Sequence, residues 1–227
     1  MEIICLAFSP KIHSPDRFWL ASGSRDKLIT IFDSSCDYEA VTVLEHHSST
    51  VTSLQFYQHE STLSLLSCSA DKTICTKQVN LDLVSKVNDF EQLQLSTGIF
   101  KNANVKNCKQ KVFSMDIATD TQFMATSHEK CISMWQLPDL DNLWNYTSND
   151  PSEVQIRTQL DPTATVVISS STAKTVTIFD ALTGVPLVKC CPGEITTAMC
   201  ISTNAKQLIT ASDKGVIYIW RLPSDLT

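Results

Sequence analysis

Residues able to carry chemistry are few in this 227-residue chain, and their spacing argues against most reactions. His47 precedes Val51 by four positions, and with Asp71 it supplies two members of a Ser-His-Asp arrangement. No GxSxG nucleophile elbow accompanies them, so the pair reads as structural. His46, His59 and His128 share no ligating spacing and read as surface residues. Asp26, inside the charged turn SRDK, reads as an acid that accepts backbone hydrogen bonds and fixes a hairpin. A lone carboxylate with no spaced partner is not an acid/base pair. Nine cysteines offer no CxxC pair and no Cys/His cluster at zinc spacing, so neither a metal site nor a cofactor is expected. Five glycines form no phosphate-cradling loop, and an enzyme is not expected.

The chain has ample apolar content to build a core, at 43% hydrophobic residues. Its formal charge of -6 comes from 24 acidic against 18 basic residues, with Lys and Arg scattered singly, which argues against nucleic acid or an anionic membrane as the partner. The start MEIICLAFSP lacks the basic residues and long apolar core of a signal peptide. Free thiols in a reducing compartment follow, and the cytoplasm is the expected location. Cys5, Cys68, Cys75, Cys131 and Cys200 fall inside expected strands, where they should act as small buried hydrophobes.

The elements that must position these residues form a repeat. WLASGSRDKLITIFD, from Trp19 to Asp33, returns as LLSCSADKTICTKQV, FMATSHEKCISMWQL, VVISSSTAKTVTIFD and LITASDKGVIYIWRL. Each copy reads as strand, polar turn, strand, with a further strand on either side, which makes a four-stranded unit. The units are expected at 1–47, 48–110, 111–150, 151–192 and 193–227. In the second, the 32 residues from Asn80 to Lys111 are rich in Asn, Lys and Gln, and Glu91 to Leu95 is the expected outer strand. Continuous apolar runs such as Val216 to Trp220 predict strands buried on both faces, which a radial stack of small sheets satisfies and a two-sheet sandwich does not.

Taking the turn residues Asp26, Asp71, Glu129, Ala173 and Lys214 as a ruler, successive copies lie 45, 58, 44 and 41 residues apart. Each turn residue stands six positions before Phe32, Lys77, Trp135, Phe179 or Trp220. This pattern resembles the WD-repeat family of β-propellers over essentially the whole chain. The resemblance implies an all-β fold of about five four-stranded blades and structural roles for His47, Asp26, Asp71, Glu129, Trp135 and Trp220. Departures are visible: Lys77 replaces the aromatic of the second blade, Ala173 the acid of the fourth, and Asp213 sits one place early in the fifth. The segments HSSTVTSLQF, CSADKTI and QLITASDKGVIYIW are similar to the propeller region of mitogen-activated-protein-kinase-binding WD-repeat scaffolds, a subfamily linked to spindle poles and centrosomes.

Five blades ending on the third strand of the last predict an incomplete ring whose final blade lacks its outer strand. The resemblance implies a non-catalytic protein-interaction scaffold, part of a larger WD-repeat protein, with kinase-pathway or spindle-pole proteins as partners and a cytoplasmic or cytoskeletal location. A structural subunit of a cytoskeletal or coat-type complex is the alternative. Arg25, His128 and Asp213, at or beside the turns, are the expected partner contacts.

Overall fold

The computed structural model describes residues 2–12, 17–86, 98–118, 122–147, 150, 152–202 and 206–222. It is all-β, with five antiparallel sheets. Residues 1–112 and 113–227 form two compact units.

The first unit holds two sheets, each in sequential strand order. Sheet one comprises β1 (Ile3–Phe8), β2 (Trp19–Ser24), β3 (Ile29–Asp33) and β4 (Glu39–Leu44). Sheet two comprises β5 (Val51–His59), β6 (Thr62–Ser69), β7 (Thr73–Val79) and β8 (Phe100–Asn107). The outer strand of sheet two is therefore β8; Glu91 to Leu95, the expected strand, lies outside the described residues. The sequence of β8, FKNANVKN, carries no regular apolar alternation that would set it apart from a polar stretch. A one-and-a-half-turn helix, α1 (Leu81–Lys86), also went unread, and its Val84 joins the core beside Ile99.

Trp19, Ile29 and Ile31 from sheet one pack with Val51, Leu54 and Leu65 from sheet two. The approach is close at Gly23, where an added Cβ would stand 2.6 Å from Cys5 Sγ and 2.7 Å from Val51 Cγ1. This explains a glycine inside a strand that is paired on both sides.

The second unit holds the other three sheets. Sheet three comprises β9 (Val112–Ile117), β10 (Phe123–His128), β11 (Cys131–Gln136) and β12 (Asp141–Thr147); sheet four comprises β13 (Gln155–Leu160), β14 (Val166–Ser171), β15 (Val176–Asp180) and β16 (Pro186–Cys190). Sheet five has three strands among the described residues: β17 (Thr196–Ile201), β18 (Gln207–Ser212) and β19 (Ile217–Arg221). Ile132, Met134 and Val167 sit in one core cluster, and Ile168, Ile178 and Leu208 in another.

Sheet five corrects one expectation. Leu208 is fully buried, but Ile217 and Ile219 are each 67% exposed, so the apolar run Val216 to Trp220 is covered on one face only. Direct cross-strand pairing aligns Cys200, Ile209 and Ile219 in one row, and Ala198, Ala211 and Ile217 in the next. These six apolar residues form the uncovered face. Cys200 belongs to it, and is thus exposed rather than buried. In sheet one Leu6 and Phe8 of the edge strand are 58% and 60% exposed, while Ser22, opposite Leu6, is buried.

Candidate functional site

The central turns are built alike in four sheets. Ser24, Ser69, Ser171 and Ser212 each accept, at their backbone carbonyl, a hydrogen bond of 3.2 Å from the residue three places on. Those residues are Lys27, Lys72, Lys174 and Gly215, all with positive φ between 60° and 79°. The serine hydroxyls also accept from the N–H two places on, at 3.1 to 3.3 Å. Serine thus closes its own turn, a local competition that ends the strand. The words SGSRDK, CSADK, SSTAK and ASDKG carried this signal, but attention to the acid passed over the serine.

Asp26 and Asp71 occupy the third place of this turn. Asp26 Oδ1 accepts from Leu28 N–H at 3.1 Å and Asp71 Oδ1 from Thr73 N–H at 3.0 Å. Arg25 and Asp213 occupy the second place, and both backbone N–H groups reach the segment leading into the first strand, at Glu2 O and Ile195 O, 2.9 Å each. They are equivalent positions. Both side chains are exposed, and Arg25 pairs with Glu2 at 2.6 Å. Glu129 lies in the shorter turn between β10 and β11, half-buried.

His128 corrects the surface assignment. It is 2% exposed, and its Nε2 lies 2.9 Å from Thr126 Oγ1, which also accepts from Trp135 Nε1 at 2.8 Å. The two rings enclose the hydroxyl because the turn of sheet three is one residue shorter and draws His128 back into the strand. A buried histidine cannot meet a partner.

A buried hydroxyl recurs on every second strand: Ser22, Ser67, Thr126, Ser169 and Thr210. In sheet five it accepts from Trp220 Nε1 at 2.9 Å, repeating the Trp135 bond of sheet three. In sheet four, where Phe179 brings no N–H, Ser169 turns to Gln155 at 2.9 Å. In sheet one, where Phe32 brings none, Ser22 Oγ has no hydrogen-bond partner.

Sheet two solves the same problem with histidine. His47 Nδ1 lies 3.0 Å from Asp71 Oδ2, and its Nε2 lies 2.8 Å from Ser67 Oγ. His46 Nε2 approaches the same oxygen at 3.0 Å. Ser48 N–H donates to Asp71 Oδ2 at 2.8 Å, and Thr73 Oγ1 donates to Oδ1 at 2.6 Å. Burial works to raise the Asp71 pKa, but the bonds from Thr73, Ser48 and His47 outweigh it and hold the carboxyl below its usual range. Burial drives the His47 pKa down against the pull of Asp71. It drives His46 to about 4, helped by the charges of His47 and Lys77. A serine, a histidine and an aspartate thus stand in line, but Ser67 is buried and lies in the middle of a sheet.

A second buried anion anchors sheet one. Asp33, fully buried, accepts from Arg17 Nε at 2.7 Å and from Ser35 N–H and Oγ at 2.9 and 2.7 Å. Burial opposes ionisation there too, and the Arg17 and Ser35 bonds still hold Asp33 below the ordinary carboxylate pKa. No helix among the described residues is long and apolar enough to cross a membrane.

Comparison with known proteins matches two stretches, residues 2–33 and 38–75, to the WD40 family, described as WD domain, G-beta repeat. WD repeat-containing protein 62 of Sus scrofa is 24% identical over 230 residues and that of Mus musculus 25% over 232, each covering 100% of this chain. This chain spans only 14% of the length of either relative. Mitogen-activated protein kinase-binding protein 1 of Mus musculus is 39% identical over 75 residues, 32% of this chain and 5% of that protein.

Proposed function

We propose that this chain, which carries WD40 repeats, is a non-catalytic protein-interaction scaffold serving a mitogen-activated protein kinase pathway. The observation that carries the reading is the uncovered face of sheet five, where Ile209, Ile217 and Ile219 stand among Ala198, Cys200 and Ala211. A contiguous apolar face held rigid by paired strands is a surface that an apolar protein partner covers, and few other ligands would. The exposed turn residues Arg25 and Asp213 add a polar rim to their own sheets. The kinase pathway rests on the resemblance to mitogen-activated protein kinase-binding protein 1, and a spindle-pole location on the sequence resemblance alone. In this reading the blades run 1–47, 48–110, 111–150, 151–192 and 193–227, and the scaffold works in the cytoplasm on protein partners, without nucleic acid or membrane.

Catalysis is set aside because the Ser67-His47-Asp71 alignment is spent inside the sheet. Ser67 shares its hydroxyl between two imidazoles and is shielded from any substrate. A nucleophile needs access and a nearby oxyanion site.

The apolar character of the sheet-five face supports a second reading, a subunit of a permanent assembly, since obligate interfaces are the more hydrophobic ones. Affinity purification with quantified partners separates them. Ile217→Glu with Ile219→Glu should remove the partners of a scaffold while leaving the chain folded. Partners retained in full by that variant refute the proposed surface, and protein that is soluble only when co-expressed with one partner favours the permanent assembly.

A further inference from the structure

Sheet two collects three metal-ligating side chains that the sequence keeps apart. His46 and His47 come from the segment before β5, and Cys75 comes from the middle of β7. One donor atom from each lies within 4.8 Å of the other two. His47 and Cys75 are buried and His46 is half-buried.

Proton accounting shows what this cluster lacks. His47 Nδ1 faces the Asp71 carboxylate, so it carries the ring proton and leaves Nε2 to accept from Ser67. Ser67 has one proton, and the 2.8 Å contact with His47 takes it in preference to the 3.5 Å contact with Cys75 O. His46 Nε2 must then donate to Ser67 Oγ, which makes His46 Nδ1 a bare lone pair. That atom is sealed from solvent and has no hydrogen-bond partner. Leaving a buried acceptor unmet is unfavourable, and a cation bound at the cluster removes the defect.

We propose that His46, His47 and Cys75 form a zinc site in sheet two. Two imidazoles and one thiol suit a borderline-soft ion and do not suit calcium or magnesium, which require oxygen ligands. Binding replaces the Cys75 S–H bond by a Zn–S bond and releases that proton to water; the imidazoles enter without proton loss, His47 at Nε2, where the ion displaces the Ser67 hydroxyl and leaves it to Cys75 O. The Asp71 carboxylate offsets the remaining charge and counters Lys77 nearby. Tetrahedral zinc spaces such donors about 3.4 to 3.6 Å apart, so from the 4.8 Å limit side-chain rotation must close the cluster by up to about 1.4 Å. Cys75 Sγ gives up only a 3.8 Å contact with Thr73 Oγ1. The ion would also tie the segment before β5 to β7, in the one sheet whose third strand offers Lys77 where Trp or Phe stands elsewhere.

Cobalt(II) titration of the whole chain, followed by zinc competition, tests the site. One equivalent of cobalt should give tetrahedral visible bands and a thiolate charge-transfer band, both bleached by zinc. Cys75→Ala and His46→Gln should each weaken uptake at least tenfold with the far-ultraviolet circular dichroism unchanged, whereas Cys131→Ala should leave it intact. X-ray absorption of the wild-type chain with one equivalent of zinc should show a single sulfur beside nitrogen or oxygen neighbours, a readout that survives if a variant fails to fold. Absence of saturable uptake, uptake that persists in both variants, or a zinc shell without sulfur overturns the proposal.

Discussion

Acid should loosen sheet two, because His46 keeps its place only while neutral. Burial, with the charges of His47 and Lys77, lowers its pKa from 6.5 to about 4, against the opposing pull of Asp71. The folded state therefore binds fewer protons than the unfolded state between these two values, and stability rises with pH across the window. The contribution is fully present above pH 6.5 and is lost as pH falls toward 4. A shift of that size corresponds to about 3 kcal/mol, on the order of a third of the stability of a typical domain. His46→Gln keeps a polar side chain but cannot titrate, so the difference in unfolding free energy between wild type and variant should slope by about that amount between pH 4 and 6.5. Guanidinium unfolding at half-unit pH steps, with chelator present to exclude metal, measures it. A difference curve flat across the window would refute the buried, neutral histidine.

Three further perturbations follow from the packing and polar contacts. Gly23→Ala places a methyl 2.6 Å from Cys5 Sγ and 2.7 Å from Val51 Cγ1, and should cost about 1 to 3 kcal/mol by overpacking, read as a lowered denaturant midpoint. Trp135→Phe removes the donor to Thr126 Oγ1 but leaves that oxygen its contact with His128, so the loss should stay near 1 kcal/mol by the same measurement. Asp33→Asn strands the Arg17 guanidinium against a neutral amide beside the fully buried site; a loss of about 3 kcal/mol and a lowered melting temperature are expected.

Much of the fold was legible because the repeat is written in local chemistry. A polar turn between two apolar runs specifies a hairpin whatever surrounds it, and five such turns recur. What escaped depended on contacts between distant segments. β8 is polar because its partner β7 supplies the order, and no internal alternation marks it. The exposure of Ile217 and Ile219 depends on what lies against their sheet, a fact no run of apolar letters contains. The His47 to Asp71 contact was readable from repeat position, and the hydrogen bond exists. Ser67 was not, since a serine within a strand looks like any other polar gap, although its recurrence as Ser22, Thr126, Ser169 and Thr210 marked the place. His128 misled because its neighbours in sequence are polar, while its fate was decided by a turn one residue shorter.

The most direct test of the scaffold reading is a binding measurement on the purified whole chain against purified mitogen-activated protein kinase pathway proteins. The account predicts saturable binding to at least one of them, reduced at least tenfold by Ile217→Glu with Ile219→Glu, with the circular dichroism spectrum unchanged. Binding of equal strength in that variant, or no saturable binding to any of them, would contradict it.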